Sequence, residues 1–370
     1  MQQRKRYILA IIASVLSLYS ACGINIDSLF NKISRLNFYF IPTLSYQKET
    51  GNLFGINGGY YFHFIDSTRI SSLSFNEVFT QKHQYSLSFS PHLYLGGGGK
   101  WTLFGNIAAQ KFPASFIGIG NDHHKFLKNP IVYTSRNYSF NFQFQRFLSK
   151  HLSLGLLFSL QSEKPVLEDS LKFKAMGIHV AGWKPYFLLG AGGVVTYDSR
   201  NNLFYPTKGI LGSASLVHFD PLWGSSYNIV QFGVDFRQYI ALYKQHVFAW
   251  QFVTDWRLGN SIPFQMLTTI GSNQLLRGIP GGLFRDNVMG AIQGEYRFPL
   301  YKNIRGAVFG SSGDVFNSCD LSIDRLKTSY GAGIRFRLTR GKINISGRWD
   351  ITHTNYEKGV QLYFTALEAF

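Results

Sequence analysis

Cysteine is nearly absent from this chain. There are two in 370 residues, Cys22 and Cys319, so no disulfide framework can staple the fold. Charge is scarce too, at 15% of residues against roughly 25% in a soluble domain. Sparse charge combined with 16% aromatic residues excludes intrinsic disorder, which has the opposite composition. Beyond the N-terminus no stretch reaches the roughly 18 unbroken apolar residues of a spanning helix, which excludes a helical membrane bundle. What the chain does have is 34 Phe, 21 Tyr and 37 Gly at a mean hydropathy of −0.04. Large apolar residues are therefore interleaved with polar ones.

The N-terminus reads as an export signal over residues 1–23. Arg4, Lys5 and Arg6 precede an apolar segment, 7–19, of signal-peptide length and too short to span a membrane. Small residues follow from Ser20 to Gly23. Two readings stand: cleavage after Gly23, or a lipoprotein signal in which Cys22 is acylated, with Tyr19 a poor first residue for that motif. Either one leaves Cys319 without a partner. Removing three basic residues lowers the formal charge from +17 to +14 (17 − 3). A basic exported protein could meet phosphate-bearing lipid head groups or cell-wall anions, or its cations could simply line a wet lumen or solvate loops.

Alternation is the main structural signal. Tyr138, Phe140, Phe142 and Phe144 share one parity, with Ser139, Asn141, Gln143 and Gln145 on the other. Leu152 to Leu160 repeats the pattern, as do Tyr85–Phe89, Phe248–Phe252 and Ile343–Trp349. Each reads as a strand with one apolar and one polar face. A water-soluble sandwich would also alternate. Large, often aromatic apolar faces opposite Gln, Asn, Asp and Arg suit a barrel whose outside meets lipid, and such a barrel must close on itself. Sixteen runs are found, near 36–46, 53–64, 68–79, 83–95, 101–111, 131–148, 150–163, 185–199, 207–219, 226–242, 246–258, 287–299, 303–316, 328–339, 342–354 and 360–370. Their connections alternate, short near 65–67, 96–100, 148–150, 242–245, 300–302 and 339–341, long near 112–130, 164–184, 259–286 and 317–327. The expected architecture is an all-β, sixteen-stranded antiparallel transmembrane barrel over 36–370, with a short periplasmic segment at 24–35 and both termini periplasmic.

Several stretches resemble the bacterial surface antigen family, the barrel domain of BamA- and TamA-type outer-membrane assembly factors. Pro42 to Gly51 is similar to that family's first strand, and Gly118-Ile119-Gly120-Asn121 to its external Gly-rich motif. Asp198 to Asn202 with Pro206 to Gly209 resembles a periplasmic turn. Leu276-Arg277-Gly278-Ile279 resembles the tip of the sixth external loop. Gly294 to Leu300 and Phe309 to Phe316 are similar to the twelfth and thirteenth strands, and Leu362 to Phe370 to the C-terminal assembly signal. Ile279 stands where the family prefers an aromatic, and Ser311 where many members carry Asp. The family's periplasmic POTRA domains are not expected in this sequence.

The resemblance implies that the sixth loop folds into the lumen, with Arg277 and Gly278 at its tip and Glu295 as the matching wall acid. Parity agrees, since Gln293, Glu295 and Arg297 share the inward face. An Arg–carboxylate pair there would be bidentate and partly desolvated, while Ser311 removes a second acid and should weaken the clamp. The alternative is a solvated loop arginine that never meets Glu295. Pro42 cannot donate a ladder hydrogen bond. With Gly51 and Gly55 nearby it would loosen the first-to-last seam, which the resemblance reads as a lateral gate and local physics reads as a bulge. Leu362, Phe364 and Phe370 share a parity with Val360 and form the expected assembly signal on the lipid side.

No enzyme chemistry is expected. Asp122-His123-His124 lacks the usual metal-ligand spacing, and Gly96 to Gly99 is not followed by the Lys-Ser or Lys-Thr of a phosphate loop. No cofactor, metal or nucleic acid is implied. The expected role, from the resemblance, is assistance of protein insertion or translocation at the Gram-negative outer membrane by a multi-pass barrel. Outer-membrane lipids, unfolded outer-membrane clients, a separate periplasmic partner and the barrel-assembly machinery would be its contacts. The alternatives are a passive porin-like or structural barrel and a lipid-organising protein.

Overall fold

Alternating apolar and polar residues favour strands, and most of the described residues lie in strands. The computed structural model describes residues 38–47, 51–62, 70–122, 130–168, 180–203, 205–301, 303–323, 325–340, 343–356, 360–366 and 370. The strands are β1 (Phe38–Gln47), β2 (Gly51–Phe62), β3 (Ser71–Thr80), β4 (Tyr85–Leu95), β5 (Trp101–Phe116), β6 (Ile131–Phe147), β7 (Leu152–Leu167), β8 (Tyr186–Asp198) and β9 (Gly209–Phe219). They continue with β10 (Ile229–Ala241), β11 (Val247–Leu258), β12 (Thr268–Ile270), β13 (Phe284–Asp286), β14 (Val288–Tyr301), β15 (Ile304–Phe316), β16 (Lys327–Arg340), β17 (Ile343–Thr354) and β18 (Gln361–Ala366). No helix among the described residues is long and apolar enough to cross a membrane. This chain crosses with strands.

Sixteen strands form one sheet in strict chain order, β11 passing directly to β14, while β12 and β13 form a separate two-stranded sheet. The described ladders are antiparallel, as between β6 and β7 (Phe142↔Phe158) and between β14 and β15 (Glu295↔Phe309). Phe40–Phe370 form one compact unit. Its two faces differ in chemistry. On the outside, Leu156 is 72% exposed and Leu362 76%, with Tyr138, Phe144, Phe252, Ile292 and Trp349 also exposed. Inside, Gln145, Glu163, Gln251, Gln293 and Glu295 are buried. So much apolar surface would drive aggregation in water but is required against acyl chains. The sheet is the wall of a transmembrane β-barrel.

The sixteen expected runs all occur, in the expected order. β5 and β7 run on to Phe116 and Leu167, beyond the 111 and 163 read from the sequence. Apolar residues such as Phe116 prolong these strands into the interior core. The β12–β13 hairpin inside the 259–286 connection was not anticipated. The last run is described over Gln361–Ala366, and Phe370, where the expected run ends, lies in no strand. On the side of the long loops, the 81–84 connection is a tight turn closed by the Thr80 N–H to Gln84 carbonyl bond, so long connections begin only after β5. The expected signal segment 1–23 with Cys22, the segment 24–35, and His123, His124 and Lys125 lie outside the described residues.

Candidate functional site

The connection between β11 and β14 turns inward. Its apolar residues Ile270, Leu276, Ile279, Leu283 and Phe284 are buried with Ala291 of β14 and Val315 of β15. Ile279, at the position where an aromatic was the family preference, is 1% exposed within this cluster. A second anchor comes from the Gly-rich segment after β5, where the Gly120 N–H donates to the Arg285 carbonyl at 2.7 Å. Asn121 and Lys327 both reach the Asp314 carboxylate, at 3.4 and 3.0 Å. The loop is thus held by apolar burial and by backbone bonding to a neighbouring loop.

At its tip Arg277 enters a cluster of charges. Its Nη2 donates to Glu295 Oε2 at 2.8 Å and its Nη1 to Asp350 Oδ2 at 2.9 Å. The guanidinium lies over the Phe309 ring, 3.6 Å from the centroid. The Ser329 hydroxyl donates to the Arg277 carbonyl. Glu295 also accepts from Arg297 Nε at 2.8 Å and from Arg335 Nη2 at 2.8 Å. Asp350 accepts from Arg335 Nη1 at 2.5 Å, with Arg348 Nη1 at 3.5 Å. All six charged side chains are at most 1% exposed.

Strand register explains the assembly. Glu295 pairs opposite Phe309, and Arg335 opposite Arg348. Residues two apart share a face, so Glu295 with Arg297 and Arg348 with Asp350 are inward neighbours on their own strands. Gly333 lies opposite Asp350. A Cβ there would fall 2.2 Å from Asp350 Oδ1 and 2.7 Å from Arg335 Nη1, so the glycine makes room for this ion pair. Gly278 has φ +102, and a Cβ on it would meet Thr354 Cγ2 at 2.6 Å. The bend beside Arg277 needs glycine both for backbone and for space.

The structure thus brings Arg277, Gly278 and Glu295 together and adds Asp350, Arg335, Arg348 and Phe309, which the sequence reading missed. The expected weakening at Ser311 does not follow. Ser311 bonds to the Ser329 carbonyl at 3.4 Å, and Asp350 of β17 supplies the second carboxylate. The available signal was parity, because Arg348 and Asp350 flank the outward Trp349.

The other expected residues lie elsewhere. Pro42 is exposed in β1. Gly51 opens β2 at φ +70, and Gly55 is buried opposite Val78. β1 and β18 stand at the two ends of the strand order, and no described residue pair joins them. Leu362 faces outward and Phe364 pairs with Trp349 along the backbone. Phe370 corrects the expectation: it is 4% exposed and buried with Tyr239 and Ala249. Arg297 Nη2 donates to its main-chain oxygen at 3.4 Å. Phe370 itself lies in no strand, so alternation does not set the direction of its side chain. Tyr239 and Ala249 lie on the buried face of their strands, which places Phe370 inside and not on the lipid side.

Comparison with known proteins bears on this geometry. The Omp85 superfamily domain matches residues 50–370. No curated protein matches the chain in sequence. Among solved structures, BamA from Haemophilus ducreyi lacking POTRA domains 1–3 is similar at a TM-score of 0.56 and 16% identity, over 90% of this chain and 70% of that one. CdiB from Acinetobacter baumannii is similar at 0.56 and 13%, over 90% of this chain. The chain spans 59% of the CdiB length. At such identities these two share a fold with the present barrel. Given the family match over most of its length, the chain belongs to the Omp85 superfamily as an outer-membrane β-barrel.

Proposed function

We propose that this barrel assists the insertion or translocation of polypeptides at the Gram-negative outer membrane. The observation that carries the reading is Arg277, held between Glu295 and Asp350 with less than 2% exposure. A loop pinned this firmly obstructs the lumen, so a client uses the wall and not an open central pore. Pro42 cannot donate to a ladder, and Gly51 and Gly55 add local freedom. On this reading the β1–β18 seam is where client strands add by β-augmentation. Arg277, Gly278 and Glu295 act as a clamp on the loop and catalyse no reaction. Leu362, Phe364 and Phe370 are read by the barrel-assembly machinery before folding, and Phe370 takes its interior seat afterwards. Unfolded outer-membrane proteins and a separate periplasmic partner are the proposed contacts. If Cys22 is acylated, the lipid adds an anchor near the seam-bearing terminus.

The test is depletion of the protein followed by measurement of outer-membrane protein levels and assembly rates. A fall in both, restored by the wild-type chain and not by an Arg277→Ala chain of equal abundance, is the expected result. Unchanged levels and kinetics would remove the role.

A further inference from the structure

A second interior site lies away from the Arg277 cluster. A cavity of about 640 Å³ opens between the β2–β7 wall and the inward loop, lined in part by Gln110, Tyr133, Asn137, Glu163, Gln265 and Arg285. Glu163 is 2% exposed. Its carboxylate accepts from Ser135 Oγ at 2.7 Å and from Asn137 Nδ2 at 3.1 Å. Among the described residues no cation lies within ion-pair distance of it. In a chain of net charge +17, the buried carboxylates Glu295, Asp314 and Asp350 each hold a Lys or Arg, while buried Asp286 accepts from the Asn287 N–H.

Arg285 has the complementary deficit. It is 8% exposed and donates to the main-chain oxygens of Phe264 at 3.3 Å and Gly282 at 2.9 Å, with the neutral Tyr133 side chain beside it. Its guanidinium lies 5.6 Å from the Phe264 ring centroid, and its Nε has no partner, nor does Gln265 Oε1. Burial lowers its pKa from the usual guanidinium value, an effect that Tyr133 partly offsets. No carboxylate pairs with it among the described residues. One cavity wall therefore carries a carboxylate and another a guanidinium, each buried, each bonded to neutral groups alone, and no ion pair joins the two. Desolvated charges without counter-charges are unfavourable unless something supplies them.

We propose that this cavity binds a small zwitterion, its ammonium group on Glu163 and its phosphate or carboxylate group on Arg285. The polar remainder of the wall, Gln110, Asn137 and Gln161, suits a hydrated linker, and the 640 Å³ volume falls in the range of small-molecule sites. Two sources share this chemistry: a phosphoethanolamine head group and a free amino acid. The site is independent of the proposed role in polypeptide insertion.

The test is titration calorimetry on the folded barrel in non-ionic detergent. The probes are phosphoethanolamine and γ-aminobutyrate as zwitterions, with ethanolamine and glycerol phosphate as their half-charged controls. A zwitterion should bind at least about tenfold more tightly than either half, as expected when two buried charges are met together. Preference for phosphoethanolamine assigns the head group, and preference for γ-aminobutyrate assigns the amino acid. Glu163→Gln should remove the advantage over glycerol phosphate, and Arg285→Met the advantage over ethanolamine, in barrels that keep their heat-modifiable gel mobility. The comparison of whole and half probes needs no variant, so it stands if a substitution impairs folding. Absence of saturable zwitterion binding to the wild type, or equal affinity for whole and half probes, would overturn the proposal.

Discussion

Around Arg277, four guanidinium groups share two carboxylates, so the acids are the limiting element of the cluster. Removing one leaves several buried cations facing each other without compensation. Breaking a buried pair costs on the order of 3–5 kcal/mol, and Glu295→Gln is expected at the upper end because Arg277, Arg297 and Arg335 all converge on it. Arg277→Lys should cost less than Glu295→Gln but more than a surface change, since a lysine ammonium cannot bridge both acids with a planar fork. Urea midpoints followed by tryptophan fluorescence in detergent will rank the two; equal midpoints for wild type and Glu295→Gln would show that the cluster carries no stability. At this scale the sequence revealed Arg277 and Glu295 through motif and parity. Asp350 stayed hidden because its role depends on a register that places it opposite Gly333, and cross-strand register is not written in any one strand.

The strands themselves were legible for a simple reason. Each crosses lipid, so every second residue from Tyr138 to Phe144, or from Leu152 to Phe158, had to be apolar, and that constraint prints a period of two. β12 and β13 escaped notice because three residues are too few to show any period. Phe370 was misplaced because a rule derived from a ladder was applied to a residue that lies in no strand. The hairpin's docking also rests on the bend at Gly278. Gly278→Val should loosen the loop by steric conflict with Thr352 and Thr354, raising protease cleavage within 259–287 while leaving the wall folded; unchanged cleavage would show that the bend tolerates a side chain. For the seam, cysteines scanned along Phe38–Gln47 against Gln361–Ala366 should yield at least one oxidisable pair that blocks client insertion, with activity recovered on reduction. Full activity of a quantitatively cross-linked barrel would rule out a moving seam.

For the molecule as a whole, the question is whether the interior conducts. A lumen crossed by the 259–287 loop should pass little steady current in a planar bilayer, and Arg277→Ala should raise the open fraction by releasing the tip. A large, steady wild-type conductance that changes with charge at Arg257 would favour the passive porin-like reading. The lipid-organising alternative requires anionic lipid to co-purify and to leave with salt, as screened surface attraction does. The ionic cluster bears on one more whole-molecule property. Its members come from β14, β16, β17 and the inward loop, whereas the ladders from β2 to β7 are joined across the interior by neutral groups and lone charges. Pulled from either end by a force probe, such a barrel would not unravel evenly. Hairpins near the start would peel away in small steps, and the greatest tension would be needed where the Arg277 knot must be untied.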